Sequence, residues 1–321
     1  MKKLAALLLL IIPLTGNAAL IDDLISYWEL NETSGSRIDI HGINDLTDNN
    51  TVLYGTGILN NAADFELANS EYLSITDASQ TGLDITGDIS ISAWVNIESA
   101  PSNNGMSIAY KWGAGNQGAY GLVYEDVGGT KQLLLNLYDS GAPGSNIEYR
   151  QNTDLGTATW HHVVVKWIAS TGVATFYVDG TSIGTDTDTS ANDIQNGTGV
   201  FAIGDLATGV QWFFDGLIDE VGIWDRAISG AEVTELYNSG TALEYPFTED
   251  PVLGCTDPEA NNYDPLATED DASCTYDEVA TTTTEILYKD WIFVNSIQIF
   301  LLSFIAIGLL FSPLKQRIKK W

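Results

Sequence analysis

The sequence predicts an all-β fold, a sandwich or jelly roll of two antiparallel sheets. Three observations carry that prediction. Between Leu20 and about Leu243 the chain alternates apolar and polar residues in short runs broken by Gly, Asn, Asp and Ser turn signals. Helical periodicity is nearly absent from the same stretch, and regularly spaced short strands favour a sandwich over an α/β arrangement. About 225 residues also suffice to bury one full core.

Residues 1–18 (MKKLAALLLLIIPLTGNA) join Lys2 and Lys3 to an apolar run and the small residues Gly16 and Ala18, the three parts of an export signal. The β domain then spans residues 19–243. In its clearest strand, DISISAWVNI, Ile89, Ile91, Ala93, Val95 and Ile97 share one face while Ser90, Ser92, Trp94 and Asn96 share the other. YGLVYE, QLLLNLY, TWHHVVVKWI, ATFYVDG and VFAIGD follow, and Asp179-Gly180 signals a tight turn. One short helix closes the domain: Ser229 and Glu232 have capping-box spacing, Val233, Leu236 and Tyr237 form an apolar stripe, and Gly240 offers a stop. Residues 244–253 form an acidic, Pro-containing linker, residues 254–276 a small unit bounded by Cys255 and Cys274, and residues 277–290 a Thr-rich stem.

Residues 291–312 carry no charge and are long enough to cross a membrane as a helix. Lys315, Arg317, Lys319 and Lys320 in the tail, residues 313–321, place the preceding chain outside by the positive-inside rule. A C-terminal sorting signal cut after export has the same anatomy. The expectation is therefore an exported, single-pass surface protein with a membrane partner at its C-terminus.

All 43 Asp and Glu but only seven Lys and Arg fall in residues 19–290, a formal charge of −36 there. Nucleic acid, which needs a basic face, is excluded as a partner. On the oxidising side of a membrane Cys255 and Cys274 are expected to pair as a disulfide.

The stretch FDGLIDEVGIWDRAIS, residues 214–229, sets two adjacent carboxylates in an apolar run. Strict alternation groups Leu217, Asp219, Val221 and Ile223 on one face and Ile218, Glu220 and Trp224 on the other, so the carboxylates should point apart, with Glu220 the more exposed. They then cannot flank one glycosidic bond. Asp219, among large apolar neighbours, needs hydrogen-bond donors or a cation. Asp64-Phe65-Glu66 supplies two alternating carboxylates without a third, and a structural role is expected there. His161 and His162 are adjacent strand residues facing opposite ways and do not suit a metal. Residues 113–118 spell GxGxxG with no helix following, so they read as a glycine-rich loop. No cysteine nucleophile, GxSxG elbow or Walker loop is present, and no catalytic residue is expected. Tyr110, Trp112 and Tyr120 around that loop, and Trp212 before the final strand, can serve as flat faces for a sugar or can cap the sandwich.

YWELNETSG with IDIHGINDLT, AADFELANSEYLSI, DISISAWVNI, TWHHVVVKWIASTGVATFYVDG and FFDGLIDEVGIWDRAISGAEVTELYNSG resemble, in order and spacing, the laminin G-like jelly roll of the concanavalin A-like lectin and glucanase superfamily. The cysteine unit resembles a short acidic module, GCTDPxAxNYDPxAxxDDxSC, of exported microbial surface proteins. The resemblance implies binding of an extracellular glycan or protein, as in adhesion, rather than catalysis; a glycan hydrolase or lyase of the same fold and a structural envelope protein remain alternatives. It also implies a structural calcium ion joining Asp219 to Asp39 and Asn44 in the loop DIHGIN, with a metal-free hydrogen-bond network as the other arrangement. In the small unit Asp257, Asp264, Asp270 and Asp271, with Asn262, offer oxygens for calcium or form a solvated acidic spacer.

Overall fold

A computed structural model of the chain describes residues 19–101, 105–113, 117–142, 144–190, 193–206, 212–247, 253–265, 267 and 269–277. The chain divides into two compact units, one ending at Phe247 and the other beginning at Thr248. The expected export signal, most of the stem, the apolar segment 291–312 and the basic tail lie outside the described residues. Among the described residues no helix is long and apolar enough to cross a membrane.

In chain order the strands of the first unit are β1 (Leu24–Trp28), β2 (Thr47–Asn49), β3 (Leu53–Thr56), β4 (Asn61–Phe65), β5 (Tyr72–Ile75), β6 (Ile89–Ile97), β7 (Met106–Trp112) and β8 (Tyr120–Val127). They continue as β9 (Thr130–Tyr138), β10 (Asn146–Asn152), β11 (Trp160–Ile168), β12 (Val173–Val178), β13 (Thr181–Thr187), β14 (Val200–Ile203) and β15 (Gly216–Trp224), followed by helix α1 (Gly230–Tyr237). An eight-stranded sheet runs β13-β12-β11-β6-β15-β4-β3, with β1 also paired to β15, and a seven-stranded sheet runs β10-β9-β8-β7-β14-β5-β2. Every pairing in these two sheets is antiparallel, as expected for a jelly-roll sandwich.

The β6 alternation holds residue for residue: Ile89, Ile91, Ala93, Val95 and Ile97 enter the core between the sheets. Two aromatic contacts tie sheet to sheet. Trp28 on β1 stacks on Phe201 of β14 at 5.2 Å, and the Trp167 indole of β11 donates to the Tyr149 hydroxyl of β10 at 3.1 Å. Asp179 and Gly180 both take positive φ, the conformation that a two-residue turn between β12 and β13 requires. Helix α1 carries the expected capping box, with Ser229 and Glu232 each satisfying the other's backbone N–H. Its Tyr237 stacks on Trp94 of β6 at 5.6 Å, so the helix closes the outer face of the eight-stranded sheet. Beyond the helix, Tyr245 and Phe247 pack on Tyr27, which carries the first unit a few residues past Leu243.

The second unit holds the disulfide Cys255–Cys274, with Cα atoms 4.8 Å apart, and one short parallel pair, β16 (Leu253–Gly254) with β17 (Glu269–Asp270). The rest is turns held by side chains: Asp257 accepts from the Glu259 N–H and the Tyr276 hydroxyl, and Asn262 accepts from Thr275 and donates to the Ser273 carbonyl.

Candidate functional site

Strand β15 lies at the centre of the eight-stranded sheet, and its alternation breaks at the two carboxylates. The register shifts between Asp219 and Gly222, and Glu220 takes φ 49°, the geometry of a β-bulge. Ile218, Val221 and Ile223 consequently enter the core, while Trp224 joins the cluster under helix α1. The bulge corrects the sequence expectation twice. Asp219 does not share a face with Val221 and Ile223, because it pairs with outward-facing Trp94. Glu220 is not exposed: it is 3 % accessible, with its carboxylate 2.6 Å from the Tyr27 hydroxyl. Burial pushes the Asp219 carboxyl up to about 8, against three backbone N–H bonds that pull it down. Burial, then the neighbouring Asp219, pushes Glu220 up to about 9.

Each expected calcium ligand has its own hydrogen-bond partners. Asp39 accepts four backbone N–H groups, from Tyr27, His41 and Gly42 on one oxygen and from Asn44 on the other. Asn44 donates to Ser26 and the Thr81 carbonyl and accepts from the Thr81 N–H. Asp219 accepts from Ile58, Leu59 and Glu220. Oxygens aimed at N–H donors do not suit a hard cation, and Asp39 and Asp219 share no partner, so this donor set does not fit one shared calcium ion. Among the described residues no group of three or more His, Cys, Asp or Glu side chains is arranged to hold a metal. In the small unit Asp257, Asp270 and Asp271 each cap a backbone N–H two residues on, and the Asp264 N–H donates to the Cys255 carbonyl.

The expected aromatic residues divide between the two faces of the seven-stranded sheet. Tyr120 points inward with Leu122 and Tyr124, is fully buried, and donates to the Leu83 carbonyl at 2.9 Å; it presents no face to a ligand. Tyr110, Trp112 and Trp212 gather on the outer face with Val123, Leu134, Tyr138 and Leu206. The Trp112 indole donates to the Tyr138 hydroxyl at 2.9 Å, and Trp212 meets Tyr110 edge-on at 6.4 Å. The rings lie low on the sheet because glycine lies beneath them: a Cβ on Gly121 would overlap Tyr110, and one on Gly118 would overlap Tyr138. Tyr110 is the buried floor, whereas Trp112, Tyr138 and Trp212 stay partly exposed.

Cross-strand register places Asn136 next to this patch, opposite Gly121 and Glu148. Asn136 is 4 % accessible, and its carbonyl oxygen has no hydrogen-bond partner. An unsatisfied amide costs free energy in a closed protein, so an acceptor left beside partly exposed rings is suited to a ligand donor. Further along the same face Arg150 is held between Glu125 at 2.8 Å and Glu148 at 2.6 Å, and Gln132 also donates to Glu125. Sequence reasoning missed Tyr138 and Asn136. The signal was present in QLLLNLY, where Leu134, Asn136 and Tyr138 share one face and a lone amide interrupts an apolar strand.

The histidines also part as expected for adjacent strand residues. His161 pairs with Asp179 at 2.9 Å, which raises its pKa, while His162 lies against Trp94 and Ser92, where burial lowers it to about 3.

The family model described as the concanavalin A-like lectin/glucanases superfamily matches residues 67–234, and the chain belongs to that family. No curated protein sequence matches the chain. Among solved structures it is similar to the binding domain of botulinum neurotoxin DC in complex with rat synaptotagmin II, at 15 % identity and TM-score 0.53 over 71 % of this chain and 53 % of that one. The binding domain of Paraclostridial Mosquitocidal Protein 1 aligns at 17 % identity and TM-score 0.50, over 68 % of this chain and 52 % of that one. Domain 4 of an extracellular GH43 arabinanase from Geobacillus stearothermophilus, in complex with arabinotriose, aligns at 19 % identity and TM-score 0.48, over 66 % of this chain and 97 % of that one. The chain thus spans about half the length of the toxin binding domains, and these likenesses concern the fold.

Proposed function

We propose that this protein is a surface-displayed binding protein whose jelly roll captures an extracellular glycan on the outer face of the seven-stranded sheet. The observation that carries this reading is the patch itself: three partly exposed rings, Trp112, Tyr138 and Trp212, beside the unpartnered Asn136 carbonyl. Flat apolar faces cover the C–H side of a sugar ring, and an isolated acceptor fixes a hydroxyl. Export and anchoring rest on the sequence: an N-terminal export signal, a disulfide, and an uncharged segment followed by basic residues. The botulinum neurotoxin domain of similar fold is a binding domain in complex with rat synaptotagmin II, which agrees with a binding role.

Trp112→Ala is expected to lower affinity for a retained neutral polysaccharide at least tenfold without shifting the thermal midpoint by more than a few degrees, because its indole is partly exposed. Retardation in gels containing the polysaccharide, with calorimetric unfolding as control, measures both. Unchanged retardation would remove the patch from consideration. Silence across a broad glycan panel would leave protein capture as the role of this fold.

A second reading, a glycan hydrolase, has one observation in its favour. Asp64, Glu66, Glu98 and Asp215 cluster so that burial and then mutual repulsion raise the pKa values of Asp64, Glu66 and Glu98, and one Asp64 oxygen is buried without a partner. New reducing ends released from a polysaccharide and lost in Glu98→Gln would decide for it.

A further inference from the structure

A pocket of about 410 Å³ opens at the edge of the seven-stranded sheet opposite β10, lined by Ile43, Asp45, Thr47, Asn49, Ser74 and Thr76 among others. Its chemistry suits hydroxyl groups. Asn49 uses both amide hydrogens, on the Thr47 carbonyl and the Ser74 hydroxyl, leaving its carbonyl oxygen as an acceptor. Ser74 accepts that bond and so keeps its own hydrogen to donate. An acceptor and a donor side by side match neighbouring hydroxyls of one sugar ring. No Lys or Arg lines the pocket, and Ile43, 72 % accessible, supplies an apolar rim.

Cross-strand register joins this pocket to the aromatic patch. Ile75 pairs with Phe201, so Thr76 falls beside Val200 one residue further along the two strands, and Val200 pairs with Trp112. Thr76 is exposed and Val200 and Trp112 are partly so, and all three lie on the outer face of the sheet. Tyr138 lies two strands beyond Trp112 and is bonded to its indole. At about 4.8 Å per strand, Thr76 to Tyr138 spans roughly 19 Å, a length of several sugar units.

We propose that the pocket is a second subsite for the glycan held by the aromatic patch. The ligand is then an uncharged linear polysaccharide lying across the strands and bound by an internal segment rather than a terminal sugar. This inference rests on the glycan-binding reading above. Neutrality follows from the linings: the pocket offers one carboxylate and no cation, Arg150 at the far end is held by Glu125 and Glu148, and residues 19–290 repel polyanions.

The test uses the full chain. Gels containing laminarin, xylan, arabinan or mannan, with alginate as the polyanion, identify a retained polymer, and its oligosaccharides of two to six units are titrated by calorimetry. Affinity is expected to rise at least tenfold from the dimer to the pentamer. The Asn49→Ala/Ser74→Ala double variant, and separately Ile43→Asp at an exposed position that folding tolerates, should weaken the pentamer at least fivefold and leave the dimer unchanged. Trp112→Ala should weaken both. If Trp112→Ala abolishes binding while affinity is independent of length and both pocket variants are silent, the second subsite is wrong and the glycan reading stands. Retention by alginate alone would overturn neutrality, and no retention, or a silent Trp112→Ala, would overturn subsite and glycan reading together.

Discussion

Asp39→Ala is expected to destabilise the jelly roll by about 4 kcal/mol, since each N–H left without its charged acceptor costs about 1–3 kcal/mol unless water reaches it. The carboxylate is 4 % accessible and accepts four backbone N–H groups, so water can replace it only in part. A loss of that size is a large share of the roughly 5–15 kcal/mol that holds a domain folded. Asp39→Asn should cost less, because one carbonyl oxygen can still serve the Tyr27, His41 and Gly42 donors. Urea unfolding of the three proteins ranks them. The same experiment with calcium and with chelator should give superimposable curves for the unmodified chain, since Asp39, Asn44 and Asp219 aim their oxygens at N–H groups. A calcium-dependent rise in midpoint that Asp39→Ala abolishes would show that these oxygens turn toward an ion.

Asp39 also shows how far the sequence reaches. The loop DIHGIN, the β6 alternation, the Trp-His-His strand and the capping box are legible because each is set by a local rule of period, turn or cap. The bulge at Glu220 is not. A glutamate at φ 49° breaks the usual preference for Gly or Asn in the left-handed region, and neighbours distant in sequence, Tyr27 above all, hold it there. The extra residue turned Asp219 outward and left Glu220 on the outer face with Tyr27 and Trp224, so the two carboxylates lie on one side of the sheet instead of pointing apart as strict alternation predicts. The aromatic site was half legible for a related reason. Tyr110 and Tyr120 are both loop-flanking tyrosines in sequence, but β7 carries its own bulge near Ala109, and only the register shows that one ring faces out and the other in. The pocket could not be read at all, because it joins residues 43–49 to residues 74–79 through pairing of β2 with β5.

The stability of the jelly roll is expected to peak in mildly acid solution, near pH 4–5, and to fall toward pH 9. Asp219 and Glu220 have folded pKa values raised to about 8 and about 9, above the roughly 4 of an unfolded carboxyl. Their contribution is therefore complete below about pH 4 and is lost as pH rises through those folded values, at about 1.4 kcal/mol per pH unit for each group. Both side chains are almost fully buried, so solvent screens little of this. His162 works in the opposite sense: with a folded value lowered to about 3, its contribution is complete above about pH 6.5 and is lost as pH falls. Between about pH 4.5 and 6.5 these two carboxyls oppose His162 and the net slope is downward; above about pH 6.5 His162 no longer opposes them, His161, whose pKa Asp179 raises, loses stabilisation in the same direction, and the fall steepens. Below pH 4 the histidine dominates, joined by Asp179 and Glu232, whose lowered values make them lose stabilisation in acid. Glu220→Gln keeps an acceptor for the Tyr27 hydroxyl but cannot ionise, so it should flatten the alkaline limb by about one group's slope and be more stable than the unmodified chain at pH 8.5. Urea unfolding at pH 4.5, 6.5 and 8.5 measures this. Stability that rises from pH 5 to 8.5, or a Glu220→Gln variant destabilised equally at every pH, would show that the two carboxylates stay ionised in the folded protein and that the charge at the bulge is compensated there.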